Sequence, residues 1–375
     1  MSTPTTGSST EASPTPPSED RPEEQTEHGP SGQAALLRQV ASSPAVVGLL
    51  AVLTALILSS ILILAADSEV RYTATYLLNR PGDFLHATAS TLSEAYSSLL
   101  RGAVFDWRAT TGVRMIRPIT DTLTNATPLI IAGLGMAVAF RAGLFNIGGQ
   151  GQMILGAITA CYVGIAWNLP LVAHLLVAVV GAALGGLVWG GIAGVLKART
   201  GANEVIVTIM LNSIAAHLLS QVLSLKAFNG EGETGNRKSL TVADTAQYPW
   251  LAGDSFRLHA GFLLALLVAV AVWWLMERSR LGFQLRATGL NADAARTAGM
   301  SVPWVTSLVM MISGALCGLA ATAPVLGTQK SMDESVVGTI GFDAITVALL
   351  GRSRPLGTVL AGLLFGALRA GGTAM

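Results

Sequence analysis

Charge is scarce in this chain of 375 residues. Asp, Glu, Lys and Arg make up 12% of positions and hydrophobic residues 51%. A soluble domain carries roughly 25% charge, so the apolar excess has to be placed in lipid. The two signs nearly cancel, to a formal +1. The few Lys and Arg fall between apolar runs and not along one face, which excludes a nucleic-acid footprint. Cysteine is scarcer still. Cys161 and Cys317 each sit inside an apolar stretch with no CxxC or Cys/His spacing, so neither a disulfide framework nor a zinc site is expected. His174, His217 and His259 form no HxxxH or HExxH pattern and read as satisfied structural residues, so no metal and no other cofactor is expected. A GxxxxGK[ST] phosphate loop is absent, which excludes ATP hydrolysis by the usual machinery within this chain. The apolar runs hold no paired carboxylates or ligand clusters, which disfavours a membrane-embedded enzyme.

What is present is a polar head followed by long apolar runs. Residues 1–33 are rich in Ser, Thr, Pro and Glu and lack apolar periodicity, so they are expected to be a disordered tail. Residues 34–375 read as one all-α, polytopic membrane domain. The first apolar run begins too late for a secretory signal. It covers Ala45 to Ala66, 22 residues without a charge, and at about 1.5 Å per residue it spans a hydrocarbon core of roughly 30 Å. A polar segment from Asp67 to Thr120 follows. No charged residue then occurs from Ala142 to Leu196, which demands several crossings. About eight crossings are expected: Ala45 to Ala66, Ala126 to Phe140, Met153 to Trp167, Leu171 to Leu196, Val205 to Leu225, Ala260 to Met276, Val305 to Leu326 and Leu356 to Ala370. A shorter apolar piece runs from Ile340 to Leu350. Lys197 and Arg199 share a side with Arg278, Arg280, Arg286 and Arg296, which puts that side and the N-terminus in the cytoplasm. The loop 67–120 carries six Arg and would lie outside, but long loops follow the positive-inside rule poorly.

Four stretches interrupt the apolar pattern. Arg141 to Gln152 contains four glycines and three amides, Asn146, Gln150 and Gln152. It is either a surface loop or a break in a spanning helix, of the kind transporters use for binding or gating. Asn203 and Glu204 suit a helix start, whereas Asn212 lies inside the helix and needs a partner or a pathway. Asp343 sits in the apolar run Ile340 to Leu350, as a cap or as a pathway residue. The hydrophilic segment from Glu277 to Pro303 is either a connector or a short helix that docks a soluble partner. The glycines Gly181, Gly185, Gly186, Gly190, Gly191 and Gly194 are spaced for close helix packing.

Four motifs, GLFNIGGQGQMILGA (143–157), GANEVIVTIMLN (201–212), ATGLNADAARTAGM (287–300) and GFDAITVALLGRSRPLG (341–357), resemble in order and spacing the nucleoside ABC importer permeases. These belong to the wider branched-chain amino acid and simple-sugar permease family. The resemblance implies a helical permease of roughly ten crossings in the plasma (inner) membrane. Its partners would be cytoplasmic ATP-binding subunits, a second permease subunit and an extracytoplasmic solute-binding protein, with membrane lipid around it. It makes Asn146, Gln150, Gln152, Asn212 and Asp343 candidates for the solute pathway. It places Gly289, Asn291, Asp293, Ala294, Ala295, Arg296 and Gly299 at the surface that meets the ATPase. The Pro- and Glu-rich head is not part of the shared pattern. Family members continue with further membrane helices where this chain reaches Met375, so either a truncated copy or missing last crossings is expected. A simple-sugar or branched-chain amino acid permease, or an ion-coupled secondary transporter, is the alternative.

Overall fold

A computed structural model of the chain describes residues 44–229 and 237–375. The tail expected at 1–33 lies outside them. The chain divides into two units, Met1–Thr88 and Ala89–Met375. Regular structure among the described residues is helical, with isolated bridges at Lys238–Asp333 and Trp250–His259.

In the first unit, α1 (Pro44–Ala66) and α2 (Ser68–Ala74) meet at a bend of 79°. Asp67 sits at the bend and its carboxylate accepts from the Val70 N–H at 2.9 Å, which starts α2. On α1, Leu53, Ile57, Leu58 and Leu62 are exposed, as in a helix whose surroundings are lipid. The stretch 67–120, expected as a polar loop, is largely helical: it holds α2, α3 (Pro81–Ala103) and the start of α4 (Gly112–Arg141). Charge density hid these helices from a hydropathy reading. Glu94 on α3 gathers Arg101 at 2.7 Å and Arg108 at 3.0 Å. The hydrogen bond from Arg108 does most to hold its carboxyl below the usual range.

The second unit is built around α4. This helix is 30 residues long, about 45 Å, where a crossing of 15 residues from Ala126 to Phe140 was expected. Its N-terminal half carries Arg114, Arg117 and Asp121 and so lacks an apolar signature. Its other half, Ala126 to Ala139, is buried throughout. The following elements are α5 (Gly149–Ala166), α6 (Leu171–Thr200), α7 (Glu204–Leu223), the single turn α8 (Lys226–Asn229) and α9 (Gly261–Arg278). Then come α10 (Arg280–Leu290), α11 (Ala292–Thr297) and α12 (Val302–Ala320), which runs on into a π-helical turn at Ala323–Thr328. α13 (Ile340–Leu350) and α14 (Pro355–Gly372) complete the unit.

Six helices among the described residues are long and apolar enough to cross a membrane, with α1 and α2 together making a seventh. The eighth expected crossing corresponds to α5. Its 18 residues reach about 27 Å, but Gln150 and Gln152 in its first turn dilute its hydropathy.

Glycine sets the tightest contact. At the crossing of α6 and α12, a Cβ on Gly186 would lie 2.7 Å from the Gly318 Cα, and one on Gly194 would lie 3.0 Å from the Ser307 Cα. The backbones touch, so packing replaces the hydrophobic drive that lipid cannot supply. On α9, Ala265, Val268, Val272 and Met276 are buried while Leu263, Leu267, Val270 and Trp274 are exposed, a helical stripe facing the bundle and another facing lipid.

Both cysteines are free and buried. His174 is satisfied as expected, with its ring nitrogens 2.7 Å from the Thr245 hydroxyl and 3.0 Å from the Val163 carbonyl. His259 departs from the expectation. Nδ1 accepts from the Gly261 N–H at 3.1 Å, which leaves the proton on Nε2, and Nε2 faces Gly327 with no hydrogen-bond partner among the described residues. Stacking on Tyr248, at 5.4 Å between ring centroids, holds the ring there.

Candidate functional site

Between α4 and α5 the chain leaves helix for Ala142 to Gly148 and then returns upward. Gly143 turns it, with φ of +73° that a side chain would resist. α5 begins beside the middle of the bundle: a Cβ on Gly149 would press on Met136 of α4 and lie 3.2 Å from the Gly341 carbonyl of α13. The helix is broken here inside the helical bundle. The pieces beside it are not both short, since α4 has 30 residues and α5 has 18.

Inside the break the amides satisfy one another. Asn146 is fully buried. Its Nδ2 donates to the Gln152 Oε1 at 2.9 Å and to the Ser313 hydroxyl at 2.8 Å, and its Oδ1 accepts from the Gly148 N–H at 2.9 Å. Asn212 of α7 closes the other side, accepting from the Gly151 N–H at 2.8 Å and donating to the Ile147 carbonyl at 2.9 Å. Backbone groups freed by the break thus find side-chain partners where water is excluded, the condition for non-helical chain in a membrane. Gln150 points to α13, donating to the Gly338 carbonyl at 2.6 Å and accepting from the Gly341 N–H at 3.2 Å. Asp343 stands apart from the three buried amides. It lies in the first turn of α13 and accepts from the Thr339 hydroxyl at 2.8 Å. At α7, Asn203 caps the helix through the Val205 N–H at 2.9 Å, and Glu204 pairs with Lys197 at 2.6 Å.

The hydrophilic segment after α9 forms two helices. Gly289 closes α10, and a Cβ there would lie 2.6 Å from the Arg141 carbonyl oxygen, so this segment rests directly on the entrance to the break. Arg141 also pairs with Glu277 at the end of α9. Asn291 caps α11, accepting from the Asp293 and Ala294 N–H groups at 3.0 Å each. Asp293 pairs with Arg296 at 2.9 Å, Ala295 is buried, and Gly299 ends the element with φ of +83°. The expected single helix over 289–300 is therefore the end of α10, the cap Asn291 and six residues of α11.

A second concentration of polar groups went unnoticed in the sequence. Two cavities, of 170 and 350 Å³, share Thr124 and Asn125 of α4 with Thr328 and Gln329 at the end of the π turn. Gly338, whose carbonyl receives Gln150, lines the smaller one together with Arg369 of α14. No metal-ligating cluster occurs among the described residues.

Backbones in glycine contact, six to seven helices long and apolar enough to cross a membrane, and hydrophilic helices seated on the break describe a multi-pass membrane protein. Residues 119–375 match the family described as branched-chain amino acid transport system / permease component, and the chain belongs to it. It is the permease subunit of an ABC importer. The guanosine ABC transporter permease of Bacillus subtilis is 42% identical over 256 residues, covering 68% of this chain and 73% of that one. The glucose ABC transporter permease of Haloferax volcanii is 38% identical, covering 68% and 70%. The nucleoside ABC transporter permease of Lactococcus lactis is 33% identical, covering 69% and 73%. No solved structure matches.

Proposed function

We propose that this permease moves a nucleoside inward by alternating access, driven by cytoplasmic ATP-binding subunits and supplied by an extracytoplasmic solute-binding protein. The observation that carries the substrate class is the 42% identity to a guanosine permease. A simple sugar is the second reading, favoured by the 38% identity to a glucose permease. Residues 34–375 act as one permease domain in the plasma (inner) membrane, beside a second permease subunit, with the N-terminus and the tail 1–33 in the cytoplasm. The break forms a wall of the pathway. Asn146, Gln152 and Asn212 fix its shape, while Gln150 and Asp343 lie toward α13. The ATP-binding subunit seats on the segment containing Gly289, Asn291, Asp293, Ala294, Ala295, Arg296 and Gly299, because a chain without a phosphate loop must receive ATP's free energy by contact.

The test is uptake of labelled guanosine by vesicles holding the complete importer. ATP inside and the binding protein outside are expected to be required, and collapsing the ion gradient is expected to change nothing. Uptake that disappears with the gradient while ATP is maintained overturns the proposal. Ala295→Pro removes the N–H that bonds the Asn291 carbonyl at 3.0 Å and costs about 3 kcal/mol in a helix interior. It is expected to release the ATP-binding subunit on co-purification, and wild-type retention would place the coupling surface elsewhere. For orientation, a thiol at Asp254→Cys is expected to react with an impermeant reagent from outside intact cells, and one at Arg280→Cys is not.

A further inference from the structure

We propose that the cleft bounded by α4, the π turn and α14 is where this permease holds the nucleoside in transit, with Asn125 and Gln329 as its recognition amides. The inference rests on the nucleoside reading above and adds the site and the groups that read the solute.

Among the described residues, the side chains of Asn125, Gln329 and Arg369 have no hydrogen-bond or ion-pair partner. This contrasts with the break, where every amide is engaged. A primary amide left open beside a cavity offers a donor and an acceptor side by side. Two of them match a solute whose edges carry neighbouring donors and acceptors, as nucleobases and ribose hydroxyls do.

The backbone contributes as well. Pro128 lies inside α4 and has no N–H, so the Thr124 carbonyl loses its partner one turn on. Pro324 does the same to the Ala320 carbonyl, and the chain there widens to a π turn in which the Gln329 N–H reaches the Pro324 carbonyl at 2.9 Å. π turns of this kind gather at functional sites. Pro128 and Pro324 both line the smaller cavity, so two helices loosen their ladders beside it.

The remaining walls narrow the class. Pro128, Pro324, Val336, Val337 and Ile340 give apolar surface for the faces of a base, which a hexose with hydroxyls on every side would leave unmatched. The smaller cavity has a guanidinium, Arg369, and no carboxylate, while the larger one adds Asp121 and Arg257, so leucine is the control that separates an amino acid from a nucleoside. Gly338 ties this site to the break through the Gln150 hydrogen bond.

The test uses the complete importer in vesicles with Thr328→Cys or Ser335→Cys, lining positions that leave both recognition amides in place. Cys161 and Cys317 are buried, so the wild type gives the background. The rate of modification by a small methanethiosulfonate reagent is measured alone and with guanosine, glucose or leucine. Guanosine at about four times its dissociation constant is expected to slow modification about fivefold, with glucose and leucine ineffective. Unslowed modification of both variants, in a preparation whose wild type takes up guanosine, overturns the site and leaves the nucleoside reading standing. Protection by glucose in place of guanosine overturns the nucleoside reading and keeps the site as a sugar site. A wild type that takes up no guanosine overturns both nucleoside claims. Ser335 is exposed at the cleft, so Ser335→Cys keeps the test valid if Thr328→Cys fails to fold.

Discussion

Along one run, from Val302 to Thr328, the chain passes from a dry crossing to a wet cleft. Up to Gly318 it lies backbone against backbone on α6, through Gly186, Gly190 and Gly194. Beyond Ala320 it opens into a π turn beside two cavities. The composition is similarly apolar in both parts, and what separates them is the place of Gly314 and Gly318 in one and of Pro324 in the other. Glycine removes a side chain and keeps the helical hydrogen bonds, so it brings helices together. Proline removes a hydrogen bond and keeps the bulk, so it opens a helix to whatever lies beside it.

The largest effect is expected on the dry side. Gly186→Leu would drive a side chain into the Gly314 and Gly318 backbone; overpacking costs about 1–3 kcal/mol where a core yields, and more where backbone opposes backbone. Loss of monodisperse protein in detergent is expected, and a normal elution profile would mean the crossing is slack. His259 sits where the two regions meet, against Gly327. Burial pushes its imidazole down to about 4. The folded state therefore binds fewer protons than the unfolded state, whose imidazole titrates near 6.5. Stability from this group is intact above pH 6.5 and falls as pH drops toward 4, by roughly 3 kcal/mol in total. Unfolding curves of the detergent-held protein should show that slope, and His259→Phe should flatten it. Asn146→Leu leaves the Gln152 amide and the Gly148 N–H without their partner, at about 2 kcal/mol, and should lower both stability and uptake. Gln150→Leu is the smallest change in stability, under about 1 kcal/mol for a group at the rim. It should still impair guanosine uptake, and unchanged uptake would reduce that part of the break to scaffold.

The spans were legible because long uncharged runs admit one solvent. The interruption at 142–148 was legible as glycines and amides in such a run, with loop and break left open, and the Asn203 cap as an acceptor ahead of an apolar helix. α4 was half hidden, because Arg114, Arg117 and Asp121 erase the apolar signal from turns that are helical all the same. The Ser313 partner of Asn146 was beyond reach, since it lies 167 positions away. The cleft was illegible for the same reason. Thr124, Gln329 and Arg369 are unremarkable singly, and only the meeting of three elements gives them a common cavity. The orphan nitrogen of His259 also depends on what lies opposite it, the bare backbone of Gly327.

Gly143 and Gly289 meet with no side chain on either, the break on one side and the hydrophilic helices on the other. A joint made of two side chains has play in it, because a rotamer can turn before anything else moves. This one has none. A push on α10 of a few tenths of an ångström must either be resisted by the whole bundle or arrive undiminished at the start of the break, which makes the joint a rigid bearing without backlash.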